Sequence, residues 1–158
     1  MRGDNKIIEQ LNVALSSEMT AVVQYMVQAE TCESWGYSRL AGLTKARAIE
    51  EMRHAEHLIE RIIFLDGTPE VAVPLTPKIG KSVQEHLQLD YDDEEGAVKQ
   101  YNDASRLCRE AGDNGSKELF DSMITDEERH ADFLEAQLHS IKEMGVGAYL
   151  AQQMKADK

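Results

Sequence analysis

Residues 51–58, EMRHAEHL, and residues 127–134, EERHADFL, decide how this chain is read. Both have the form E-x-R-H-A-[D/E]-x-L, and they stand 76 residues apart (127 − 51 and 130 − 54). The same offset joins residues 18–25, EMTAVVQY, to residues 94–101, EEGAVKQY, both of the form E-x-x-A-V-x-Q-Y. It also joins Cys32 to Cys108. One offset shared by every block means an internal duplication, in which two similar helical hairpins face each other.

Around these blocks the chain is rich in Glu, Leu, Ala, Lys, Arg and Gln, all good helix formers. Its only prolines, Pro69, Pro74 and Pro77, fall in one short stretch. Gly36, Asp66-Gly67, Gly112 and Asp113-Asn114-Gly115 punctuate the rest. The sequence therefore predicts helices over 4–34, 38–65, 82–111 and 116–144. Gly145 and Gly147 break the fourth, leaving a short fifth helix over 148–155. Ser82-x-x-Glu85 is a capping box that opens the third. Short first and third connections imply antiparallel hairpins. The second connection, about 15 residues, extends to roughly 50 Å, and a helix of 27 residues is about 40 Å long. The loop can thus run the full length of the bundle and make the second and third helices parallel. The expected fold is all-α: a single-domain four-helix bundle with one long crossover.

The duplicated residues sit where acids are costly. The first helix carries Leu11, Leu15, Glu18, Val22, Tyr25 and Ala29 at helical spacing. The third carries Val83, Leu87, Glu94, Val98 and Tyr101; the second Glu51, His54, Leu58 and Leu65; the fourth Phe120, Met123, Glu127, His130, Leu134 and Ile141. Carboxylates and imidazoles thus interrupt apolar stripes near mid-helix. An unpaired buried carboxylate costs several kcal/mol or takes up a proton. One Glu-x-x-His is a weak signal, since solvated helix faces are full of both residues. Two on apolar stripes, in register with two further stripe glutamates, are not. Glu and His at i and i+3 share a helix face, and four negative charges match two divalent cations. Mixed carboxylate and imidazole donors suit iron or manganese. Tyr25 and Tyr101 stand one row from Glu18 and Glu94, placed either as core aromatics or as partners that orient the carboxylates.

Composition excludes other classes. The net charge is −12, with 29 acidic against 17 basic residues, which repels a phosphate backbone, so no nucleic-acid partner is expected. No apolar run approaches the roughly 20 residues of a membrane span, and the polar N-terminus carries no targeting signal. Two cysteines make neither a disulfide framework nor a Cys₄ iron module. The expected location is the cytoplasm. Cys32 and Cys108 are expected to be small core residues at opposite ends of the bundle; His57, His86 and His139 are expected at the surface.

The chain as a whole resembles the bacterioferritins. The likeness runs from Arg2-Gly3-Asp4 through Trp35-Gly36, residues 51–55, Ile62-Ile63-Phe64-Leu65 and residues 126–130 to Met144-Gly145. The resemblance implies that Glu18 and His54 hold one iron, Glu94 and His130 the other, and that Glu51 and Glu127 bridge them. It implies a ferroxidase that oxidises Fe²⁺ to Fe³⁺ with O₂ or peroxide. The ferric mineral would be stored inside a shell of 24 identical subunits built from two-fold dimers. It also implies haem b shared between two subunits, with Met52 as axial ligand. Met52 follows Glu51 and so points about 100° away from the metal face. Ile49, Ile59 and Ile63, with Met19, Val23 and Met26 on the first helix, give that hairpin a second apolar face for a partner. Where some relatives carry a His and an Asp for an extra iron site on the cavity side, this chain has Ala46 and Glu50. Mutating Glu50 is therefore expected to leave oxidation intact.

Overall fold

The computed structural model describes residues 1–154. It contains α1 (Asn5–Ser34), α2 (Ser38–Phe64), α3 (Val83–Glu110), α4 (Asn114–Met144) and α5 (Val146–Gln152). The last residue expected in the fifth helix, Lys155, lies outside the described residues. Two boundaries differ from the sequence reading. Asp113 caps α4 by accepting from the Ser116 backbone N–H at 3.0 Å, so the helix begins within the expected turn. Gly145, at φ 81°, ends α4 alone; Gly147 is absorbed into α5.

Local chemistry sets the other ends. Asp4 accepts from the Lys6 backbone N–H at 2.7 Å and opens α1. Ser82 accepts from the Glu85 backbone N–H at 3.2 Å, and Glu85 reaches back to the N–H of Lys81 at 2.6 Å. The capping box is thus closed one residue earlier than the usual pattern. The duplication extends to the C-caps. Gly36 (φ 89°) and Gly112 (φ 73°), 76 apart, both take the left-handed conformation. The next N–H in each case, of Tyr37 and Asp113, donates to Cys32 and Cys108 carbonyls at 2.9 Å.

The core is split into two apolar caps. One gathers Leu11, Leu15, Leu58, Ile62, Tyr101, Cys108, Phe120 and Met123. The other gathers Cys32, Leu40, Leu87, Leu134, Ile141 and Tyr149. The first unites the start of α1 with the end of α2, the end of α3 and the start of α4. α2 and α3 are therefore parallel, as the loop length required. Both cysteines are buried free thiols, one in each cap. The crossover loop is pinned along α1. Asn12 donates to the Thr68 carbonyl and accepts from the Glu70 N–H; farther along, the side-chain Oε1 of Gln24 accepts from the Lys78 N–H at 2.7 Å. His86 is a correction: it is buried, bonded to the Gly80 carbonyl at 3.0 Å and stacked on Trp35 at 5.6 Å between ring centroids. It packs the end of the loop onto α3, which a residue pattern alone does not reveal. Among the described residues, no helix is long and apolar enough to cross a membrane.

Candidate metal centre

Between the two caps lies a polar layer. Glu18 from α1, Glu51 and His54 from α2, Glu94 from α3, and Glu127 and His130 from α4 meet there, each no more than 6% exposed. They form two overlapping groups, Glu18/Glu51/His54/Glu127 and Glu51/Glu94/Glu127/His130, whose donor atoms lie within 4.8 Å of one another. Glu51 and Glu127 belong to both groups, which is the geometry of bridging ligands.

His54 Nδ1 lies 3.0 Å from Glu127, 3.4 Å from Glu51 and 3.6 Å from Glu18. His130 Nδ1 lies 3.0 Å from Glu51, 3.6 Å from Glu94 and 3.7 Å from Glu127. These approaches do not close as hydrogen bonds. Glu18 Oε2, Glu51 Oε1, His54 Nδ1, Glu94 Oε2, Glu127 Oε1 and His130 Nδ1 are all buried without a hydrogen-bond partner among the described residues. One orphaned atom comes from every member of the layer. Each such group costs about 1–3 kcal/mol when left unmade. Cations at the centre of the layer relieve all of them at once.

The electrostatics agree. Burial opposes a charge on His54, but Glu127, Glu18 and Glu51 outweigh it and push its pKa far above the usual imidazole range. His130 is pushed up to about 9, again against burial, by Glu127 and Glu51. Burial, then the Glu18 charge, raises the Glu51 carboxyl. The layer's own residues are short of positive charge and gather protons; metal ions displace such protons from their ligands.

The outer contacts repeat the two-fold relation. Tyr25 donates to Glu94 and Tyr101 to Glu18, both at 2.7 Å, so the tyrosines are oriented partners of the carboxylates and not only core aromatics. The far nitrogens of the imidazoles are held as well. His54 Nε2 donates to Asp126 at 2.8 Å and His130 Nε2 to Glu50 at 2.7 Å. Arg129 lies against Glu50 at 2.9 Å and Asp126 at 3.6 Å. These contacts direct Nδ1 inward. The sequence reading missed Asp126 and gave Glu50 no part in the centre. The signal was present, since 50 and 126 are 76 apart and each immediately precedes a Glu common to both groups.

The layer has an open and a sealed side. A cavity of about 710 Å³ between α1 and α3 is lined by all four glutamates and both tyrosines, with Asp93 and Lys78 of the loop side at its margin. Neither histidine lines it. Beside the cavity, Gln24 and Gln28 donate to the buried Asp90 at 2.9 and 2.8 Å, a network the sequence reading did not find. Met52 is 46% exposed and stands with exposed Met26, Ile49 and Ile63 on the outer face of the first hairpin.

Comparisons with known proteins agree on one family. Residues 8–144 match the ferritin-like domain. The chain is 44% identical over 145 residues to a bacterioferritin of Rhodobacter capsulatus, an alignment covering 92% of this chain and 90% of that one. It is 42% identical over 149 residues to a bacterioferritin of Brucella melitensis, covering 94% and 92%. A bacterioferritin of Mycolicibacterium paratuberculosis is 38% identical over 152 residues, covering 96% of each chain.

Proposed function

The chain belongs to the bacterioferritins of the ferritin-like family, and from that premise we propose that it stores iron, oxidising Fe²⁺ at the polar layer inside each subunit. The observation that carries this reading is the set of six orphaned donor atoms, one from each layer residue. Glu18 and His54 hold one iron, Glu94 and His130 the second, and Glu51 and Glu127 bridge. Iron here is the substrate. Two Fe²⁺ ions give up one electron each, and O₂ or peroxide takes the pair together with protons. Four carboxylates balance the charge of two divalent ions, and the layer keeps both within reach of a single oxidant. Tyr25 and Tyr101 hold Glu94 and Glu18 in place, while Asp126 and Glu50 fix the imidazole tautomers. Fe²⁺ approaches through the cavity between α1 and α3, which the four glutamates line.

The ferric product is stored within a shell of 24 subunits assembled from two-fold dimers, in the cytoplasm. The apolar face of Met26, Ile49, Met52 and Ile63 is the dimer surface. There, two Met52 thioethers, one per subunit, hold a shared haem b. An exposed thioether within an apolar face fits that role. The haem supplies one-electron chemistry when bound.

The test is Fe²⁺ oxidation by Glu18→Ala and His130→Ala, with size-exclusion chromatography read at protein and haem wavelengths. Lost oxidation in both variants, within an intact shell-sized and haem-bearing peak, is the expected result. Unchanged oxidation rates refute the site.

A further inference from the structure

The two halves are alike at the metal ligands but not one helical turn away. On α2, four residues before Glu51 and on the same face, stands Arg47. At the corresponding place on α4, four residues before Glu127, stands Met123. The numbers 47 and 123 differ by 76, so these are the same position of the duplicated unit. Met123 is 1% exposed and packs with Tyr101, whose hydroxyl holds Glu18. Arg47 is half-buried, its guanidinium carbon 5.7 Å from the centre of the Phe133 ring, and its Nε is buried without a partner among the described residues. Phe133 lies three residues after His130 on α4. On α2 His54 lies seven residues, two helical turns, beyond Arg47, whereas the Phe133 contact sets the guanidinium one turn from His130, at the Glu94/His130 end of the layer.

We propose that Arg47 makes the two metal positions unequal, so that the Glu18/His54 position fills first and the Glu94/His130 position is the weaker. The inference rests on the two-metal reading of the layer. Its cause is elementary: a half-buried cation one helical turn from Glu51 repels a second cation beside it, and a partly buried pair is screened less than an exposed one. Asp90 does not pair directly with Arg47. Its carboxylate is committed to Gln24 and Gln28, and no ion pair joins it to Arg47 among the described residues. The duplication itself supplies the substitution that removes the difference, Arg47→Met.

Metal-free protein is titrated anaerobically with Co²⁺ against a competing chelator, and the visible ligand-field absorption is followed. Wild-type protein is expected to bind in two steps about tenfold or more apart. Glu18→Gln removes the tight step and Glu94→Gln the weak one. Arg47→Met tightens the weak step about tenfold and moves the tight step less than twofold. Arg47→Gln, neutral but polar, does the same if the larger change disturbs packing, and Arg47→Lys keeps the gap. Two equal steps in the wild type, or equal shifts of both steps in Arg47→Met, overturn the proposal and leave the two-metal reading standing. If Glu51→Gln leaves Co²⁺ binding unaltered, the two-metal reading falls, and this inference with it.

Discussion

The hairpin α1–α2 and the hairpin α3–α4 are copies of one another on the inside and strangers on the outside. Facing the layer, Glu18, Tyr25, Glu51 and His54 answer to Glu94, Tyr101, Glu127 and His130. Facing outward, Met26, Ile49, Met52 and Ile63 answer to Asn102, Thr125, Glu128 and His139. The first set of four is 56%, 41%, 46% and 58% exposed, so an apolar face stands on one hairpin alone. A shared layer restrains both copies at once, because Glu51 and Glu127 each belong to both groups of donor atoms. An outer face has no such tie to its twin and is free to diverge into a surface for a partner.

The strongest way to break the inner half of this comparison is to remove a bridge. Glu51→Ala and Glu127→Ala are each expected to abolish both steps of Co²⁺ binding and to slow Fe²⁺ oxidation more than a hundredfold, with equal losses. If one variant keeps a metal that the other loses, the bridging symmetry fails. The outer half breaks at Met52. Met52→Leu is expected to remove the haem absorption of the purified protein while oxidation at the layer continues. Retained haem refutes the ligation.

The held imidazoles come next. Asp126→Ala and Glu50→Ala are each expected to weaken metal binding about 10–100-fold, the usual cost of losing a hydrogen-bonding partner of a metal-binding His. Equal losses keep the two-fold relation intact out to this distance. Glu50 also meets Arg129, so Arg129→Gln separates the two contacts: a small effect from it, beside a large one from Glu50→Ala, assigns the loss to His130.

Most of this plan was legible in the sequence, for definite reasons. The ligands repeat, they interrupt apolar stripes, and helical geometry carries spacing directly into direction. The helix ends followed because Gly36 and Gly112 serve the left-handed conformation that ends each first helix of a hairpin. The fifth helix was drawn late, since Gly147 reads as a breaker while α5 takes it in its first turn. His86 was misplaced because its burial depends on where the crossover loop comes to rest. Asp90 with Gln24 and Gln28 escaped for the opposite reason: Gln24 repeats as Gln100, but the matching positions of Asp90 and Gln28 are Ala14 and Ala104, so the network itself does not repeat.

That unmatched carboxyl gives the smallest expected effect and the finest test of how far the halves differ. Burial, only partly offset by Gln24 and Gln28, raises the pKa of Asp90 from 3.8 to about 7. Between those values the folded protein binds the proton more firmly than the unfolded chain does. The stabilising contribution is therefore complete below the lower value and is lost as pH rises through about 7. Asp90→Asn removes the titration. Its side-chain carbonyl still accepts from Gln24 and Gln28, and its amide offers a donor to the Gln28 Oε1 atom that lacks a partner among the described residues. The variant is expected to melt within about a degree of wild type at pH 5 and a few degrees higher at pH 8, where the wild type must bury a charge. Thermal melts of the metal-free protein at both values decide it. A variant that melts lower at pH 8 means that the ionised Asp90 is needed, and the charge it would be balancing in that half of the bundle is Arg47, which the other half replaces with Met123.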